Sequence, residues 1–307
     1  MAKRAKTQGF TLIELSIVLV VIGLIVGGIL VGQSLISAAG VRATVTQIEK
    51  YNTAANTFRE KYGYLPGDIK DPDASSFGFQ ARGSCPGQGD GNGIIDGSLT
   101  STCVAYPNDE DEGETLVFWV DLSTAHLIDG GFNTAQITQA YNVTATTTPN
   151  LSALFPAAKI GRGNYIYVYS GEAWNGSAQM PTSVNYFGLS AITATINSGS
   201  PISTPALTVQ EAYSIDAKVD DGLPQTGRVT AQYLSQTGGS VDWSASPGLP
   251  NEMGAGSVPP WTGATAGSAA SCYDNGDVSG ATQHYSIEIS NGANVTCALS
   301  FQFQAGD

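Results

Sequence analysis

The chain has 307 residues, enough for one sizeable core, with 42% hydrophobic and only 13% charged residues and a formal charge of −13. So acidic a chain argues against nucleic acid as a partner, because phosphate binding depends on Lys and Arg displacing counterions, and it favours cations as small partners. No GxSxG, HExxH or GxxxxGK[ST] pattern occurs, so the residues give no support to an enzyme.

Residues 1–9, MAKRAKTQG, are basic through Lys3, Arg4 and Lys6 and contain no acid; losing those three cations takes the charge from −13 to −16. Phe10 to Gly32 is an apolar run long enough to span a bilayer. A secretory signal has a shorter apolar core with its small-residue cleavage site behind it. Here the small residue, Gly9, lies in front, so cleavage after Gly9 would leave the apolar segment on the mature protein. The basic leader marks the cytoplasmic side by the positive-inside rule and puts the rest of the chain outside. Glu14 is the exception within the run. A carboxylate near the middle of a spanning helix costs roughly 2.5–3.5 kcal/mol on insertion scales and is usually functional. At a helix end it can instead snorkel to the headgroups. Cleavage would also create an amine on Phe10, and in a filament that amine from one subunit could neutralise Glu14 of its neighbour.

Gly9-Phe10-Thr11-Leu12-Ile13-Glu14 ahead of a long aliphatic run resembles the class III signal of type IV prepilins and type II secretion pseudopilins. The likeness covers about the first tenth of the chain. It implies that a prepilin peptidase cuts between Gly9 and Phe10 and N-methylates Phe10, and that Glu14 is the assembly glutamate. It also implies an inner-membrane assembly platform as partner, the membrane before assembly, and copies of the chain itself in a helical homopolymer. The location is then the bacterial inner membrane first and a periplasmic or extracellular filament afterwards.

Apolar or aromatic residues recur at Val41, Val45, Ile48, Tyr51, Ala55, Phe58 and Tyr62 with helical spacing, and no proline occurs before Pro66. Residues 10–62 thus read as one helix of about 80 Å at 1.5 Å per residue. Residues 10–32 would lie in membrane or filament core, and the amphipathic residues 33–62 would pack one stripe on the head. Gly23, Gly27, Gly28 and Gly32 give two GxxxG spacings, which allow close helix approach; Gly27-Gly28 is the weakest point of the helix.

Gly63 and Pro66 end the helix, and residues 63–307 form the head. The acidic run Asp109–Glu114 precedes Leu116, Trp119, Leu122 and His126 and reads as a solvated helix start closed by Gly130-Gly131. Thr208 and Glu211 form a capping-box pair for a helix at about 208–221. Alternating segments Asn164–Ser170, Val184–Leu189, Arg228–Tyr233, His284–Ile289 and Val295–Phe303 read as strands, and residues 234–271 as a surface loop. The fold class is α+β: a long N-terminal helix on an antiparallel sheet with long loops, the pilin-like arrangement.

Cys85, Cys103, Cys272 and Cys297 lack a CxxC pair, which disfavours zinc. Of three pairings, 85–103 and 272–297 close the shortest loops, and disulfides agree with a head outside the cytoplasm. The first loop, worth about 3 kcal/mol in loop entropy, contains Asp90, Asn92 and Asp96 among glycines, oxygen ligands suited to calcium, although the spacing fails as an EF-hand. Asp216, Asp220 and Asp221 near a helix C-terminus form a second calcium candidate, with Lys218 as the alternative source of positive charge.

The function expected is a structural subunit of a type IV pilus or pilus-like filament. The alternatives are a type II secretion pseudopilin and a minor pilin with an adhesin head, for which Tyr165, Tyr167, Tyr169, Trp174, Trp243 and Trp261 would form the binding patch. Packing within the sheet is the simpler role for the tyrosines.

Overall fold

A computed structural model describes residues 11–99, 103–106, 112–144, 146–171, 184–195, 201–235, 240–244, 269–274 and 282–305. Helix α1 runs unbroken from Leu12 to Tyr62, through all four glycines of its first half. Thr11 is its N-cap, with extended backbone, and Gly63 closes it at φ 80°, its N–H donating to Arg59 O at 2.8 Å while its left-handed backbone turns the chain off the helix axis. Only the second half buries a stripe: Val41, Val45, Ile48, Tyr51, Ala55 and Phe58 face the head.

That stripe packs beside α2 (Glu114–Thr124) on one face of a five-stranded antiparallel sheet. The strands are β1 (Asn164–Ser170), β2 (Val184–Ala194), β3 (Ile202–Thr204), β4 (Val229–Thr230) and β5 (Leu299–Ala305), in the order β1-β2-β5-β4, with β3 paired to the far end of β2. Val168 pairs with Phe187 and Phe301 with Phe187, which fixes one face as apolar. Phe187 stacks on Phe303 at 4.1 Å between centroids, Phe118 of α2 meets Phe187 edge-on at 6.0 Å, and Tyr51 of α1 meets Trp119 edge-on at 5.0 Å.

The opposite face is buried too. Tyr167 and Tyr169 are fully covered, their hydroxyls bonded to Ser190 (3.1 Å) and Ser300 (2.6 Å). A hairpin of Gln232–Ser235 and Ser240–Trp243 lies over them, with Leu234 N–H donating to the Tyr167 hydroxyl at 3.0 Å. Gly188 makes the room, because a Cβ there would lie 2.1 Å from the Tyr167 ring.

Several sequence expectations need correction. Within the interval 234–271, residues 234–235 and Ser240–Trp243 are strand, and residues 236–239 and 245–268 lie outside the described residues. His284–Ile289 is a strand only at His284–Tyr285 before a short 3₁₀ segment, and Val295–Phe303 divides into Val295–Cys297 and β5. Arg228–Tyr233 divides between β4 and the hairpin strand. Helix α2 stops at Thr124, before Gly130-Gly131, because His126 takes a left-handed φ of 57°. Of its acidic start, Glu112 and Glu114 are buried rather than solvated, and residues 109–111 lie outside the described residues. Helix α3 spans Val209–Val219, and Thr208 and Glu211 make the full reciprocal capping box. Cys85 is bonded to Cys103 and Cys272 to Cys297, with Cα separations of 4.9 and 5.1 Å.

Candidate functional site

Thr11-Leu12-Ile13-Glu14 is a T-x-x-E capping box, a pattern legible in the residues that the reading of Glu14 as a membrane carboxylate passed over. Glu14 Oε2 accepts from the Thr11 amide and hydroxyl, both at 2.8 Å, while the Thr11 hydroxyl accepts from Glu14 N–H at 3.4 Å. In the single chain the carboxylate is therefore already committed to its own helix start. Gly9 and Phe10 lie outside the described residues. Every residue from Leu12 to Val31 is exposed, and a Cβ at Gly23, Gly27, Gly28 or Gly32 would meet nothing within 4 Å. The first half of α1 is long and apolar enough to cross a membrane, and the described residues of its own head cover none of it. A rod that is hydrophobic all round requires lipid or other helices.

In the head the structure regroups the first acidic candidate. Asp90 lies with Asp68 and Glu114, each offering an oxygen within 4.8 Å of the others. Asp96 is not in that group, and Asn92 borders it, its N–H donating to Asp68 at 3.2 Å and to Asp90 at 3.0 Å. Asn92 Oδ1 accepts from Ile94 N–H at 2.7 Å, and Asp96 Oδ1 accepts from Ser170 at 2.7 Å. Asp68 and Glu114 were missed because they belong to segments far from Asp90 in the chain. The glycine loop is folded around them: Gly91 and Gly93 donate to Asp68 at 2.7 and 2.8 Å, and Gly89 to Glu114 at 2.8 Å. Gly67, at φ 87°, brings the turn against α2, where a Cβ would lie 2.6 Å from Glu114 O. Burial pushes Asp68 up to about 7 against the pull of its backbone donors, with the Asp90 charge adding to the rise. Burial also raises Glu114 well above the usual carboxylate range, with Asp68 and Asp96 adding to it. The nearby Arg82 is committed elsewhere, to Asp121 at 2.5 Å and Ile69 O at 3.0 Å.

The second candidate does assemble: Asp216, Asp220 and Asp221 also converge within 4.8 Å. Asp216 is buried, accepts from the Tyr285 hydroxyl at 2.8 Å and Gly222 N–H at 3.1 Å, and is pushed up to about 7, chiefly by burial. Asp220 accepts from Arg228 and Val229 N–H, and Asp221 from Leu223 N–H and Thr226, so both hold the turn after α3. Lys218 does not offset them; its ammonium donates to Ser214 O at 3.1 Å. Both groups could chelate a divalent ion in principle.

Residues 4–30 match the family model described as the prokaryotic N-terminal methylation motif, a span that includes Gly9, Phe10 and Glu14. The chain carries that motif. It is the class III signal typical of type IV pilins and pseudopilins, a non-catalytic structural class. The motif implies processing by a prepilin peptidase and membrane-associated assembly, and the apolar helix behind it is consistent with an inner-membrane-anchored precursor. The helix-on-sheet architecture agrees with the pilin α+β fold. None of the curated proteins or solved structures matches the chain.

Proposed function

We propose that the chain is a filament subunit, cut between Gly9 and Phe10, methylated on Phe10 and polymerised through Leu12–Ile36 with the head outside the inner membrane. The carrying observation is that one unbroken helix has two unlike halves, one packed on its head and one with no cover from its own chain. The reading assigns Glu14 a change of partner. Capped by Thr11 in the monomer, it would accept the methylated amine of a neighbouring Phe10 in the polymer, where an unpaired carboxylate would be costly. The large head and the presence of Glu14 favour a main or decorated subunit of a surface pilus over a tip-capping pseudopilin.

An adhesin head draws little support. Tyr167 and Tyr169 are buried, Tyr165 and Trp243 are half-buried, and Trp174 and Trp261 lie outside the described residues. Calcium at Asp68, Asp90 and Glu114 is favoured by one observation: no Lys or Arg of the described residues pairs with any of the three, although two are buried. Peptide mass spectrometry on sheared surface fibres and on the cell envelope tests the function. A mature form beginning at N-methylated Phe10 and abundant in fibres is expected. Retention in the envelope at low level would favour a pseudopilin, and an uncut leader in both fractions would overturn the reading.

A further inference from the structure

An open groove of 740 Å³ lies between residues 42–51 of α1 and the head segments that carry Asp129, Phe132 and residues 156–159. Arg42, Thr46 and Lys50, spaced one turn apart on an exposed face, form one wall, and Lys159 stands on the other. Among the described residues the only acid lining it is Asp129, whose side chain is 95% exposed and paired with Lys50. Asp129 is held below its usual range by the Lys50 bond and charge and, after them, by the charge of Lys159.

The walls are fixed to one another. Gln47, buried between them, donates to Ala157 O at 3.0 Å and accepts from Lys159 N–H at 2.9 Å, which ties the Lys159 segment to α1. Its amide also donates to the Tyr51 hydroxyl at 3.0 Å, and that ring is wedged against Trp119. The cations are thus presented by rigid elements, and rotamer freedom alone separates them from a fixed array.

Charge makes the groove exceptional in this chain. Of 13 Lys and Arg, three fall in residues 1–9, leaving ten, and three of those ten line this one groove against a single acid. A patch of net charge +2 therefore sits on a subunit whose net charge after loss of the leader is −16, that is, −13 less three cations. Copies of so acidic a subunit repel one another unless their contacts juxtapose unlike charge. The groove is also continuous with the surface expected to polymerise. Arg42 follows Ile36, 74% exposed and the last large apolar residue of the uncovered half, by six residues, about 9 Å along the helix. A neighbour lying on Leu12–Ile36 would need to extend only about 9 Å further along the helix to reach the level of the groove.

We propose that this basic groove is the head-level docking site for a second copy of the chain, whose surface carboxylates enter between Arg42, Lys50 and Lys159. The inference rests on the filament-subunit reading. The apolar halves would supply most of the cohesion, and the groove would set which carboxylate-bearing face of the neighbour is met and at what height. Individual exposed ion pairs are weak and salt-screened, so the role is one of register, repeated at every subunit.

Carbodiimide treatment of intact filaments tests this, because it joins an ammonium to a carboxylate already in contact without adding a spacer. The expected product is a covalent dimer whose linked peptides contain Lys50 or Lys159 from one copy and an Asp or Glu from another. Lys50→Arg/Lys159→Arg should keep the filaments and lose that link, whereas Lys50→Glu/Lys159→Glu should lower filament yield by about tenfold or more while the full chain in detergent melts unchanged. Only the within-chain Lys50–Asp129 link in intact filaments, or normal yield from the charge-reversed protein, overturns the groove and leaves the subunit reading standing. Absence of filaments from the unmodified chain overturns both.

Discussion

Leu12–Ile36 and Val41–Phe58 belong to one uninterrupted helix with caps at both ends, yet they are built for different surroundings. In the first segment large apolar side chains point in every direction, with Leu12 88% and Ile36 74% exposed. In the second they form one stripe, with Val41 at 3% and Phe58 at 0%, and polar residues take the remaining directions. A helix that packs on a single sheet needs apolar residues every third or fourth position; one surrounded by lipid or by other helices needs them all round. The difference separates two properties that usually travel together. Stability of the head should depend on the second half, and polymerisation on the first.

The largest expected effect lies in the first half. Glu14→Leu keeps that helix apolar and the Thr11 hydroxyl on the residue-14 N–H, but removes the carboxylate that accepts from the Thr11 amide and hydroxyl and that would be offered to a neighbour. Filaments in sheared fractions should disappear while the thermal melt of the head stays where it was. A lowered melt would mean that the two halves are coupled. Phe58→Ala should do the reverse: a fully buried ring among Tyr62 and Phe79 is lost, at about 3–5 kcal/mol of head stability measured by denaturant unfolding.

Gly188→Ala should cost less, about 1–3 kcal/mol, because the new methyl must displace the Tyr167 ring from between the sheet and its covering hairpin. A null result would mean that the hairpin yields easily. The acidic groups should give smaller, condition-dependent shifts. Asp68 and Asp216 are raised to about 7 in the folded head from an ordinary 3.8, so between those values the folded state holds protons that the unfolded state has released. Stability should accordingly fall as pH rises from about 4 to 7. Calcium should restore the melt at pH 8 if it occupies Asp68, Asp90 and Glu114, and Glu114→Gln should weaken that response. A melt at pH 8 indifferent to calcium and to chelator would remove the ion. The smallest effect belongs to Ile25→Ala, which should leave head unfolding unchanged within about 0.5 kcal/mol, because Ile25 is exposed and none of the described residues covers it.

What the sequence by itself determined was whatever is decided by neighbours along the chain. The long helix, its stop at Gly63, the capping box of α3, the core strands of the sheet and the methylation motif all rest on local periodicity, caps and a contiguous signal. Glu14 could have been read further on the same grounds, since T-x-x-E is a local pattern. The acidic start of α2 misled for a physical reason: an acid at a helix N-terminus is ordinarily solvated, and only the approach of the Pro66-Gly67-Asp68 turn and the glycine loop buries Glu114. No spacing rule links Asp68, Asp90 and Glu114, because their meeting depends on how those three segments close over α2. The same holds for the basic groove, where Lys159 joins Arg42 and Lys50 only through the clasp of Gln47. Local free energies select helix, strand and cap from adjacent residues. Which charges face one another is set by packing between segments distant in the chain, and that the tertiary structure alone decided.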